Sequence, residues 1–319
     1  ATRRIPALAH LFGASGAVKV KEGGKTQSVS LEGLAPRFAA FGLDPAITQS
    51  LKEVEERSSG DLKTILRSVE RGWVDTQSYS KFISRVQDAK VGINSLEGSP
   101  EVLMTGWDHP SGHAVGFVFN QEGDKHYFYA CNAGDAKDPH RSIVKYEVQN
   151  FDKLLKFLRT CDRNRNETRS LFVGKPIRAG LGRCMDYKQL PDAIDKSSQK
   201  RGNCTVSSRK ACVLAMMWSE GIVMGADPKV VKSHYKEVTT ELRERGVRGA
   251  IETGHIPLMG KALVEMLTKF DRDPCKGYAF EVADAIVQQN KTGKTSKAKT
   301  DAFTPPSPDS KEFMDTIMQ

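Results

Sequence analysis

A polar, glycine-containing loop, Gln199-Lys200-Arg201-Gly202-Asn203, runs into the apolar stretch that begins Cys204-Thr205-Val206. A cysteine at such a junction stands where backbone N–H groups and the helix dipole favour the thiolate. Lys200, Arg201 and Arg209 add positive charge nearby. A thiolate nucleophile needs a base, and the base needs a third group to hold it. His113 opens the run His113-Ala114-Val115-Gly116-Phe117-Val118-Phe119, directly after Pro110-Ser111-Gly112. The run at 126–131 ends in Asn132-Ala133-Gly134-Asp135. With a hairpin turn near residue 122, His113 falls opposite residues 130–132. Asn132 or Asp135 then reaches the outer imidazole nitrogen. An Asn fixes the ring, and an Asp also stabilises the imidazolium. The Gln199 amide, with the N–H groups of the helix start, can serve an oxyanion. The chemistry of this set is attack of a thiolate on a carbonyl carbon.

Other residues compete less well. His109 precedes Pro110 in a loop, and His126 alternates along its strand toward solvent. His255, in Thr253-Gly254-His255-Ile256-Pro257, is the reserve base. Cys131 is a rival nucleophile, but it sits on a strand without a helix dipole. Trp107 reads as a core aromatic near the His113 turn, placed where it can also shield the site from water.

The elements that must position these residues follow from periodicity. Residues 1–30, rich in Gly, Lys and Ser, read as an irregular lead-in. Residues 31–90 read as helices: Leu31, Leu34, Phe38, Phe41 and Leu43 share a face that Ile47, Leu51 and Val54 continue. Leu62, Ile65, Leu66 and Val69 repeat it after the break Ser58-Ser59-Gly60-Asp61. From residue 94 the character changes to short apolar runs at 102–107, 113–119, 126–131 and 142–148, with a turn signal at 120–124. Helical spacing returns at Phe151, Leu154, Leu155 and Leu158, then from Cys204 to about Trp218, and over 227–245, 257–271 and 277–290. Residues 291–308, rich in Lys, Thr, Ser and Pro, read as a disordered tail. The fold class is α+β: a helical N-terminal part, a small antiparallel sheet and a mostly helical C-terminal half. The expected regions are 1–93, a catalytic domain over 94–290, and a tail over 291–319.

Composition narrows the function further. The chain has 319 residues, 39% of them hydrophobic, enough for a sizeable core. Mean hydropathy is -0.45, and no apolar run approaches the roughly 20 residues that span a bilayer. The N-terminus lacks the apolar stretch of a secretory signal. The six cysteines form no CxxC pair, so zinc is not expected, and their sparseness favours free thiols. The formal net charge of +9 suggests an acidic partner, although the charge is spread out. Its clusters include Lys19-Lys21-Lys25, Arg163-Arg165-Arg169 and the tail lysines. Aromatics are 8% and no nucleic-acid motif accompanies them, so no specific nucleic acid is expected. Gly180-Leu181-Gly182 lacks the strand–helix context of a nucleotide loop.

The order His113, Asn132 or Asp135, Gln199, Cys204 resembles the cysteine proteases that include the SUMO and adenovirus proteases. Bacterial effector deubiquitinases and the serine/threonine acetyltransferase effectors share that order. The stretches Gly112-His113-Ala114-Val115-Gly116, Cys131-Asn132-Ala133-Gly134 and Gly202-Asn203-Cys204 are similar to regions of effectors from intracellular bacteria. The resemblance covers residues 100–220. It departs at Thr205, where the family commonly has Gly. It implies His113 as base, Asn132 or Asp135 as its orienter, Gln199 as oxyanion donor, Cys204 as nucleophile, and no cofactor. It also implies delivery into the host cytoplasm and a host protein substrate, with ubiquitin or a ubiquitin-like protein the first candidate. Three functions stand side by side: a thiol hydrolase; an acyltransferase fed by acyl-CoA, whose basic surface holds a phosphate-rich small molecule; and a basic adaptor without catalysis.

Overall fold

Five antiparallel strands form the central sheet of the computed structural model, in the order β3-β4-β5-β6-β7. They span Glu101–Trp107, His113–Glu122, Lys125–Cys131, Ile143–Val148 and Leu181–Arg183. The structure describes residues 17–22, 24–30, 43–75, 78–93, 99–108, 112–133, 142–173, 176–183 and 204–252. The strands β4 and β5 close through Gly123-Asp124, with Glu122 opposite Lys125 and Gly123 at φ +61°. That backbone is one a glycine adopts without steric cost.

The sheet has two chemically distinct faces, because strand residues alternate sides. Phe117, Phe119, Phe128, Ala130, Val144 and Tyr146 share one face and pack on two helices, α3 (Tyr79–Lys90) and α4 (Phe151–Arg163). Helix α4 buries Leu154, Leu155, Leu158 and Cys161 there; Asn150 caps it by accepting from the Lys153 N–H. A 3-10 turn, Arg165–Glu167, and the short helix α5 (Thr168–Phe172) follow and pack against β3.

The opposite face receives α6 (Cys204–Val223). Fifteen of its residues are buried, from Thr205 to Gly221, so it is a central helix, covered on its far side by α2 (Gly60–Asp75). Small residues let α6 approach β4 closely: Ser208 Oγ donates to the Ala114 carbonyl at 2.7 Å, and a Cβ on Gly116 would lie 2.1 Å from Cys212 Sγ. Further along, a buried polar network ties the elements. Asn120 Nδ2 donates to Ser219 Oγ at 2.8 Å and to Glu220 Oε1 at 2.9 Å. Ser219, Tyr129 and Lys145 all donate to Glu122. Helix α1 (Asp44–Arg57) contributes Ile47, Leu51 and Val54 to the core.

The chain divides into two compact units, one of residues 47–200 and 204–239, the other of residues 1–46, 201–203 and 240–319. The first holds the five-stranded sheet. Among the described residues of the second are β1 (Ala17–Glu22) and β2 (Lys25–Ser30), an antiparallel hairpin. Helix α7 (Pro228–Glu252) belongs to both units.

The α+β class is as the sequence implies, and α6 begins at Cys204 as expected but runs five residues past Trp218. Two expectations need correction. Residues 17–30 are not an irregular lead-in: Val18 and Val20 alternate with lysines, and Gly24 at φ +75° makes the turn. The hairpin register is also shifted. Gly116, not His113, lies opposite Cys131, because the turn centres after residue 123. The expected helices at 257–271 and 277–290, the apolar residues 31–41 and the tail lie outside the described residues. No helix among the described residues is long and apolar enough to cross a membrane.

Candidate active site

His113 opens β4 and is half-buried; its in-register neighbour on β3 is Trp107. Paired residues project to one side of a sheet. The indole accordingly lies against the imidazole, ring centroids 4.7 Å apart, and is itself enclosed and backed by Phe172. Asn132 follows the last residue of β5. Its side chain is buried, and its backbone N–H donates to the Ser142 carbonyl at 2.8 Å. Its Oδ1 meets His113 Nε2 at 2.8 Å. An amide oxygen only accepts, so Nε2 carries the hydrogen and Nδ1 is the basic nitrogen.

Cys204 is the first residue of α6 and is half-buried. Burial alone pushes its thiol up. Hydrogen bonds with the His113 side chain, the Ala114 backbone and the Thr205 hydroxyl, together with the imidazole charge, outweigh it and bring the thiol below its ordinary value. The strand start thus delivers two groups to one sulfur, an imidazole from His113 and a backbone contact from Ala114. The other described cysteines are buried free thiols; burial pushes Cys161 up to about 12. Arg209, one turn into α6, is buried and donates to the Thr205 carbonyl at 3.2 Å, so it braces the first turn from inside.

Cys204, His113 and Asn132 are therefore assembled, although their sequence positions are widely separated. Asn132, from the pair of candidate orienters, holds the ring. Asp135 and Gln199 lie outside the described residues, as do His109, His255, Lys200 and Arg201. His126 is half-buried rather than turned out to solvent as its alternation suggests. It stacks on Phe119 at 5.8 Å and meets Phe151 at 5.1 Å, and burial lowers its pKa. Sequence reasoning missed Ala114 and Thr205 as partners of the sulfur. A backbone contact leaves no side-chain signal, and a Thr after the cysteine reads as a departure from pattern. Among the described residues no cluster of His, Cys, Asp or Glu is arranged to hold a metal ion.

One solved structure shares this fold. It is titled "Structure of Legionella Effector AnkH", with a TM-score of 0.60 and 15% sequence identity. The alignment covers 91% of this chain and 62% of that chain. This protein thus spans less than two thirds of its neighbour's length. No family model matches the chain, and no curated protein matches it.

Proposed function

We propose that this protein is a thiol-dependent hydrolase that cleaves a peptide or isopeptide bond of a host protein as a bacterial effector. The hydrogen bond from His113 to Asn132, with Cys204 on the same imidazole, carries the reading. The likeness in fold to a Legionella effector supports the cellular setting. The resemblance to the SUMO and adenovirus proteases favours a ubiquitin-type conjugate as substrate.

The steps follow from the atoms present. Cys204 gives its thiol proton to His113 Nδ1, and the sulfur bonds to the substrate carbonyl carbon. The carbonyl π-electrons move to oxygen. Backbone N–H groups at the start of α6 lack intrahelical acceptors and point at that oxyanion. The carbon–nitrogen bond then breaks, and the imidazolium returns its proton to the leaving amine. A water molecule, losing a proton to Nδ1, attacks the thioester and frees the acid and the thiol. Asn132 keeps one tautomer throughout, and the Trp107 face favours the cationic ring.

The test is labelling of wild type and Cys204→Ala with a ubiquitin probe carrying an electrophilic C-terminus, read by intact mass. An adduct on Cys204, absent in the variant, is expected. If Cys204 reacts neither with the probe nor, faster than an ordinary thiol, with iodoacetamide, the hydrolase reading fails. Fast iodoacetamide reaction without ubiquitin labelling would move the substrate away from ubiquitin.

A further inference from the structure

Residues 153–169 carry six cations, Lys153, Lys156, Arg159, Arg163, Arg165 and Arg169, against two acids, Asp162 and Glu167. Five of the cations are exposed and Arg169 is half-buried. None of the six forms an ion pair with a described residue; Arg159 only donates to the Gln87 amide oxygen at 3.2 Å. A solvated helix face of structural origin normally intersperses both signs, and pairs them at i,i+4. Arg163 complements the C-terminal dipole of α4. Arg165 does the opposite, since it stands at the start of the helical run from 165 to 172, where a cation is unfavourable. Stability of the local fold therefore does not explain it.

The position of this segment gives the charge a use. The Asn166 side-chain oxygen accepts from the Asp108 N–H at 3.1 Å, and Asp108 directly follows Trp107 at the end of β3. Trp107 is the register partner of His113. Adjacent strands lie about 4.8 Å apart, so the 3-10 turn is one strand spacing and one hydrogen bond from the strand that carries the candidate base. Helix α4 runs toward that end of the sheet. The segment is tied to its neighbours through Tyr79 of α3, which shares a 2.6 Å hydrogen bond with Thr105 of β3 and also bonds the Thr168 hydroxyl. The Tyr79 phenol, raised by burial, is close enough to Arg165 to be pulled the other way by its charge.

We infer that the cationic row from Lys153 to Arg169 is a substrate-docking rim, which receives an acidic, carboxylate-rich segment of the protein whose carbonyl is presented to Cys204. This rests on the hydrolase reading above. Guanidinium groups suit the role, because their planar forks take carboxylates in pairs and stay charged at all working pH values.

The experiment uses the full chain, wild type and R163E/R165E, with a fluorescein-labelled peptide of about ten glutamates and a serine–glycine peptide of equal length. Anisotropy reports binding at about 0.05 M and about 0.5 M salt. The rate of iodoacetamide alkylation of Cys204, read by mass, reports occupancy beside the sulfur. Wild type should bind the glutamate peptide, more weakly at high salt, and alkylate more slowly in its presence. The serine–glycine peptide should do neither. R163E/R165E should lose about tenfold in affinity and, relative to its own rate without peptide, the protection. R163K/R165K, which keeps the charge, should retain salt-sensitive binding. Equal binding by wild type and R163E/R165E would overturn the rim, as would binding that leaves alkylation unchanged. Tighter binding of an oligothymidine of about ten nucleotides would overturn the assignment to protein acids. The failure of the hydrolase reading is seen separately, as an ordinary alkylation rate for Cys204 with no peptide added.

Discussion

A single sulfur distinguishes Cys204 from the other described thiols. The contrast with Cys161 is one of surroundings: each sulfur has a threonine hydroxyl, Thr205 or Thr168, but only Cys204 also has an imidazole and a backbone group. Iodoacetamide should therefore alkylate Cys204 with a pH midpoint below the roughly 8.5 of a free thiol, and leave Cys161 untouched while the chain is folded. Asn132→Ala, which frees the imidazole to rotate, should move the Cys204 midpoint back upward. Stopped alkylation followed by peptide mass mapping measures both. The same shifts have opposite effects on stability. The depressed Cys204 value stabilises the fold above the unfolded thiol value, and that increment is lost as pH falls through the folded one. The raised Cys161 value contributes below the unfolded thiol value and is lost as pH rises toward about 12. At this scale the sequence was informative where side chains carry the chemistry. The types and order of His113, Asn132 and Cys204 were legible, and the choice of Asn132 depended on a register that hydrophobic alternation fixes only to within a few residues. The apolar run at 113–119 is uninterrupted, so it carries no period-2 signal to count from.

Elements hold these atoms by close approach, and Gly116 is where α6 comes down on β4. Cys212 Sγ occupies the volume that any Cβ at Gly116 would need, and Met104 Sδ would lie 3.1 Å from the same Cβ. Gly116→Ala should cost about 1–3 kcal/mol, read as a lower urea midpoint, because the helix must move or the sulfur must turn. Cys212→Ala in the same chain removes the obstructing sulfur and should recover part of that loss. Additive losses in the double variant would show that the two sites do not meet. The glycine was visible in sequence, but nothing there said what lay above it. Helix α6 was likewise legible in its start and its apolar content, whereas the hairpin at 17–30 was not. Two six-residue strands, AVKVKE and KTQSVS, with only three valines between them, give alternation too weak to separate from a loop.

Over the whole molecule, α6 is pinned at both ends, at Cys204 by the β4 start and at Glu220 by the polar network on Asn120. Burial raises the Glu220 carboxyl, and the nearby Glu122 adds to it against hydrogen bonds from Ser68 and Asn120 and the charge of Arg71. A carboxyl raised in the folded state loses stability as pH climbs from the unfolded value of about 4.3 through the folded one. Glu220→Gln keeps the oxygen that Asn120 contacts and removes the charge, so its thermal midpoint should exceed wild type at neutral pH. The advantage should vanish in acid, and a variant less stable at both pH values would contradict it. The bond from Ser208 to the Ala114 carbonyl also has a temporal meaning, since it closes a span of 94 positions. Contacts of that range form late, after local helices and hairpins. On the proposed reading, Cys204 and His113 meet only when that span closes, so the nascent or unfolded chain would be chemically latent. The depressed value of the Cys204 thiol is accordingly a property of the closed fold, acquired only in the last step of the chain's own folding.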